Sequence, residues 1–240
     1  MRKVFVFVSV VLLSAGLRAQ QLKRSMDYVN VDLGAGSYRG TFSVSFLHDW
    51  RFGENRKFGV GLGGRFTSFL GANIYYITAP ATLTSESTSP LIFFKENITQ
   101  NIDSLLVKSP QLNALNLMIN LDYQFSSHVV VGFNIDAIGF SVGRNTRANY
   151  MNGVLGKNTT AHPTPFNVLL ISDNDRGTLN SEMYFKYFLN ERWAVKTSMQ
   201  FLFTEYTTTT KVQQYPEEND RFRNKSLLFS LGVSYKLLTK

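Results

Sequence analysis

The sequence predicts an all-β protein, an eight-stranded antiparallel up-and-down transmembrane β-barrel with short periplasmic turns and long extracellular loops. Three observations predict it. The chain opens on an export signal. Apolar and polar residues then alternate with period two in eight separate runs. The connections between these runs are short on one side and long on the other.

The export signal occupies residues 1–19. Arg2 and Lys3 give a basic start, residues 4–13 are apolar except for Ser9, and Leu17-Arg18-Ala19 leads to Gln20. That order is the order of a secretory signal, and its apolar part is too short to cross a bilayer as a helix. Cleavage after Ala19 leaves residues 20–240 as a single barrel domain. The chain contains no cysteine, so neither disulfides nor a lipid anchor on cysteine is expected. Loss of Arg2, Lys3 and Arg18 lowers the formal charge from +8 to +5. The remaining Lys and Arg are scattered rather than clustered in runs. This suits solvation and anionic lipid head groups, and no nucleic acid partner is expected.

The strands follow in order. Val29, Val31, Leu33 and Ala35 share one face against Asn30, Asp32 and Gly34. Phe42, Val44 and Phe46, continuing to Trp50, oppose Thr41, Ser43 and Ser45. Phe58, Val60, Leu62 and Phe66 oppose Gly59, Gly61, Gly63 and Arg65. Leu115 to Phe125 alternate against Asn116, Asn120, Asp122 and Gln124. Val129, Val131, Phe133 and Ile135 oppose Gly132, Asn134 and Asp136. Leu179, Met183, Phe185, Tyr187 and Leu189 oppose Asn180, Glu182 and Lys186. Trp193, Val195, Met199, Phe201 and Phe203 oppose Lys196, Ser198 and Gln200. Leu227 to Leu237 close the series against Ser230, Gly232, Ser234 and Lys236. Most of these runs have the length of a tilted membrane strand, about 9–11 residues. Residues 51–57, 126–128 and 190–192 are short turns, and residues 68–113, 144–177 and 206–223 are long connections; only the first, near residues 37–40, is tight on the long side. A further strand pair at residues 166–172 or 91–95 would raise the count to ten.

Period two does not say which face looks outward, and a soluble lipocalin-like barrel alternates as well. Three features favour the membrane. The apolar face is large and uniform. Aromatic side chains gather at the short turns: Trp50, Phe52, Phe58, Tyr123, Phe125, Tyr187, Phe188 and Trp193, as at a bilayer interface. The opposite face carries glycines, small polar residues and charges of both signs. Asp32, Asp49, Asp122, Asp136 and Glu182 there stand against Arg65, Lys186, Lys196 and Lys236, and near-cancellation of that kind is what a closed interior requires. Asp32, Arg65, Asp122, Asp136, Glu182, Lys186, Lys196 and Lys236 are therefore the candidate lumen-facing charges.

Chemistry is sparse. Gly59, Gly61 and Gly64 spell the G-x-G-x-x-G of a dinucleotide loop, but they lie within a strand with no helix behind them, so no nucleotide is expected. The three histidines, His48, His128 and His162, have no metal-ligand spacing. Asp173-Asn174-Asp175-Arg176-Gly177 reads as a turn rather than a calcium loop. The sequons at Asn97, Asn158 and Asn224 read as coincidental. No cofactor, metal or catalytic residue is expected. The threonines at 207–210 suggest a seventh strand running on as an exposed edge that would accept a partner strand.

Signal, alternating strands, one-sided short turns and a closing C-terminal strand together resemble the small outer-membrane β-barrel superfamily of Gram-negative bacteria, which includes OmpW/OmpX-like proteins and the OmpA-type barrel domain. The chain departs from it at the C-terminus, where the family's closing strand commonly ends on an aromatic residue and this one ends Leu237-Leu238-Thr239-Lys240. The resemblance implies a cell outer membrane location, with outer-membrane lipid and the outer-membrane assembly machinery as partners. The expected role is structural or surface-interacting without catalysis, with a surface partner met through the long loops. A second reading is a narrow channel or transporter for a small, hydrophobic solute. A third is a lipid A-modifying barrel enzyme that would use His162 with Ser172 or Asp173.

Overall fold

A computed structural model describes residues 24–86, 96–152, 157–170 and 174–237. The export signal, residues 91–95, and Ser172 with Asp173 lie outside the described residues.

The strands are β1 (Ser25–Gly36), β2 (Arg39–Phe52), β3 (Phe58–Gly71), β4 (Ile74–Thr78), β5 (Ser104–Val107), β6 (Gln111–Gln124), β7 (Val129–Gly143), β8 (Thr146–Tyr150), β9 (Lys157–Pro163), β10 (Phe166–Val168), β11 (Leu179–Phe188), β12 (Trp193–Thr208) and β13 (Arg221–Leu237). A single helical turn, α1 (Ala81–Thr84), and a 3-10 turn at Thr99–Asn101 interrupt the β4–β5 connection. Among the described residues no helix is long and apolar enough to cross a membrane.

All thirteen belong to one antiparallel sheet, where periodicity alone gave eight. The eight runs read from the sequence correspond to the long strands β1, β2, β3, β6, β7, β11, β12 and β13. These pair in chain order, and the series returns to its start where Val31 faces Val233 across β1 and β13. The eight long strands thus close on themselves.

Five short strands make up the difference, all in the long connections; of these only β10 falls in a segment, residues 166–172, that the sequence offered as a further strand. Four of them build a second ring on top of the first. β4 pairs with the upper part of β13 (Thr78 with Phe222), β5 with β4, β8 with β5, and β9 with β8. β9 then returns to β12 (Pro163 with Tyr206), and β12 pairs with β13 at the same height (Tyr206 with Phe222). β10 continues the wall beside β7.

Burial alternates as the pleat demands. Large apolar side chains face out along every long strand: Leu33, Leu62, Leu117, Met183, Phe229 and Leu231 are each more than half exposed. The core lies inside, in two apolar clusters. One fills the short-turn end, with Met26, Tyr28, Leu47, Met118, Val130, Tyr184, Phe188 and Ala194. The other fills the upper ring, where Tyr76, Leu105, Val107, Ala148, Ala161, Tyr206 and Phe222 meet Phe69, Leu112, Leu202 and Leu228 from the long strands. Phe188 was expected at the outer interface. It points inward instead, its ring 6.4 Å from that of Tyr28, because it stands in register with inward-facing Ala194.

Candidate functional site

Between the two apolar clusters the interior is polar. Its lower part centres on Arg51. Its guanidinium lies 2.6 Å from Asp49 and 2.7 Å from Asp122, and none of the three reaches solvent appreciably. Asn120 donates to Asp122 at 3.1 Å, and the Tyr184 hydroxyl donates to Asn120 at 2.9 Å. Arg51 was read as part of a turn. β2 runs on to Phe52, so Arg51 shares the inward face with Asp49 two residues earlier; that i, i+2 spacing was the available signal.

The upper part is a continuous chain of charges and amides. The Lys196 ammonium lies 3.0 Å from Asp32 and 2.8 Å from Glu182. Glu182 accepts from Ser198 at 2.5 Å and from Asn134 at 2.9 Å, and Arg65 stands 3.5 Å from the same carboxylate. Arg65 reaches Asp136 at 2.6 Å and donates to the Asn180 carbonyl at 2.6 Å. Asn116 donates to Asp136, Asn167 to Asn116, each at 2.8 Å, and Ser141 to Asn167 at 3.0 Å. Strands that are not neighbours in the sheet are thereby tied across the lumen.

Small residues make the room. A side chain at Gly232 would place its Cβ 2.2 Å from Asp32 Oδ1, and one at Gly59 would stand 2.8 Å from carboxylate oxygens of Asp49 and Asp122. Gly59 of the dinucleotide-like stretch thus leaves space for carboxylates of neighbouring strands.

Seven of the eight candidate charges are buried: Asp32, Arg65, Asp122, Asp136, Glu182, Lys186 and Lys196. Lys186 stands apart from the carboxylates. Its ammonium lies 4.5 Å from the ring centre of Tyr28 and 5.0 Å from that of Tyr184, a cation–π placement. Lys236 is half-buried at the short-turn mouth, 5.8 Å over the Phe188 ring.

A further ion cluster, absent from the sequence reading, sits where β12 and β13 enter the upper ring. Glu205 is buried and pairs with Arg221 at 2.8 Å and Arg223 at 3.1 Å, and Arg223 also donates to the Asp175 carbonyl. A cavity of about 20 Å³ beside Arg223, lined by Ile77, Thr78, Ala79 and Thr84, has room for no more than a water.

The histidines do not meet. His48 is on the outer face, 2.5 Å from Asp27 and edge-on to Trp50. His128 stacks on Tyr187. His162 is half-buried in β9 beside its neighbour's carbonyl. Among the described residues no three metal-ligating side chains converge. The threonine edge is also absent: Thr207 pairs with His162 on one side and Arg221 on the other, so that part of β12 offers no free edge to a partner strand.

No protein-family model matches the sequence, and neither does any curated protein. Several solved structures are similar to it. One is the N-terminal β-barrel domain of OprF from Pseudomonas aeruginosa, with 7% identity over 90% of this chain and 98% of that chain, TM-score 0.34. Another is Ail of Yersinia pestis in complex with the heparin analogue sucrose octasulfate, with 9% identity over 89% and 97%, TM-score 0.35. A third is AlkL in lipid bilayers, with 10% identity over 93% and 96%, TM-score 0.34. These are outer-membrane β-barrel proteins.

The chain's own surface has the character of a membrane barrel. A closed sheet pairs the backbones of its long strands with one another. It turns a band of Leu, Phe, Val and Ile outward and keeps Asp32, Asp49, Arg51, Arg65, Asp122, Asp136, Glu182, Lys186 and Lys196 inside. The protein is a closed antiparallel β-barrel with the outer surface of a membrane barrel.

Proposed function

We propose that the eight long strands are the membrane crossings, that the short turns face the periplasm, and that the upper ring stands outside the cell as a rigid cap. The protein is then a structural or surface-interaction barrel without catalysis. The observation that carries this reading is the filled interior: an apolar plug, a cross-linked polar layer and an apolar cap core follow one another along the axis. Eight strands enclose little more than their own side chains, and here those side chains pair with one another. The domain is residues 20–240 once the signal is removed after Ala19, a point that the intact mass of the membrane-extracted protein checks.

Conductance in planar lipid bilayers is the test. The filled interior predicts no steady openings. Uniform, long-lived openings would favour the second reading, passage of a small solute. The catalytic reading has little support, since His162 turns its Nδ1 to the Pro163 carbonyl at 3.2 Å.

A further inference from the structure

A basic cluster stands on the outer surface just beyond Val142, the last outward apolar residue of β7. Lys108 follows β5, Arg144 follows β7 and Arg147 lies in β8; all three are exposed. Val107 and Ala148 point into the cap core, so the pleat turns their neighbours Lys108 and Arg147 outward together. Backbone and side-chain bonds hold the group in place. The Lys108 N–H donates to the Arg147 carbonyl at 2.9 Å, the Thr146 hydroxyl donates to the Lys108 carbonyl, and the Arg144 guanidinium donates to the Ser109 carbonyl at 3.1 Å.

Their height follows from β7. Ile138, Phe140 and Val142 face outward and are exposed. Arg144 comes two residues later, roughly 7 Å farther along at the usual rise of a strand. Asn113 and Ser68 stand level with Val142 as polar residues of the outer face. Among the described residues none of the three bases forms a salt bridge, and Asp103, just before β5, accepts from the Tyr150 hydroxyl.

We propose that Lys108, Arg144 and Arg147 form a docking site for the phosphate groups of membrane lipid on the cap side of the bilayer, which sets the depth at which the barrel rides. This rests on the membrane reading of the apolar band. Basic side chains at an anionic lipid surface contribute roughly fivefold in affinity each.

The test uses the full mature chain in detergent micelles doped with phosphatidic acid or phosphatidylcholine, with retained lipid counted by native mass spectrometry. The wild type is expected to retain phosphatidic acid preferentially. The Lys108→Ala/Arg144→Ala/Arg147→Ala variant is expected to lose that preference by about tenfold or more, and the single Arg147→Ala variant by several-fold. Alanines at Lys57, Arg192 and Lys211 should leave it unchanged. The mobility of unheated protein on SDS gels reports folding separately, so failure of the barrel reading shows there and not in the lipid count. Undiminished retention by folded triple and single variants would overturn the proposal. Displacement of phosphatidic acid by equimolar inorganic phosphate would overturn it too, by making the site one for free anions.

Discussion

Arg65 on β3 and Asp136 on β7 meet at 2.6 Å inside the barrel, with β6 lying between their strands. The pair is a chord across the lumen. Together with the chord from Lys196 on β12 to Asp32 on β1, it fixes the distances between walls that backbone pairing alone leaves free to shear. Both partners have left water, so the pair holds only while both are present.

Removing both partners should therefore cost less than the two single removals together. Arg65→Ala strands Asp136 and weakens the support of Glu182, and should destabilise the barrel by about 3–5 kcal/mol. Adding Asp136→Ala should cost less than the sum of the two single changes. Urea unfolding in lipid vesicles, followed by tryptophan emission, measures both.

Two adjacent glycines should behave differently. A Cβ at Gly63 would sit 2.2 Å from the Phe46 carbonyl oxygen, whereas one at Gly64 meets nothing nearer than 4.0 Å. Gly63→Ala should cost about 1–3 kcal/mol through forced backbone movement, and Gly64→Ala should stay within about 0.5 kcal/mol of the wild type. The same unfolding assay ranks them.

Leu231 faces outward at mid-height, in register with Leu33 and Thr197. In a bilayer, Leu231→Arg should cost about 2–4 kcal/mol. On a surface facing water it would cost almost nothing. The difference between the unfolding midpoints of Leu231→Arg and the wild type in vesicles reads this directly.

The cap should loosen in alkali. Burial, and then its hydrogen bond to Asp103, raise the Tyr150 hydroxyl above the usual tyrosine value. The folded cap therefore prefers neutral Tyr150. That contribution is complete below the unfolded value of about 10 and is lost as pH climbs through the higher folded value. Proteolytic cleavage within residues 144–163 should rise above about pH 10. In Tyr150→Phe it should be faster at neutral pH and nearly independent of this titration.

Much of this wall could be read from residues alone, and the reasons for the gaps are physical. The alternation from Phe58 to Phe66 or from Trp193 to Phe203 is strict because lipid and lumen demand opposite chemistry at successive positions. The β7 run was cut at Ile135 because its phase changes there. Leu117 pairs with Ile138 and Met118 with Asp136, so Ala137 is the extra residue of a bulge, and the outward positions resume at Ile138. The cap strands were missed for another reason. β4, β5 and β8 are four or five residues long, too short for a period to declare itself, and their inward residues pack on partners far away in sequence. Interior acids and bases were visible one strand at a time. Which of them meet depends on register around the closed sheet, and so Arg51 and the Glu205 cluster emerged only with the fold.

The central claim is that the apolar face of the long strands touches lipid. The chain's two tryptophans, Trp50 and Trp193, stand on that face beside the short turns. Their fluorescence in vesicles of brominated lipid is the most direct test. Strong quenching by bromines placed near the head-group end of the acyl chains, and weaker quenching by bromines at the chain ends, is the predicted result. No quenching by either lipid in folded, vesicle-associated protein would contradict the claim and turn every strand inside out.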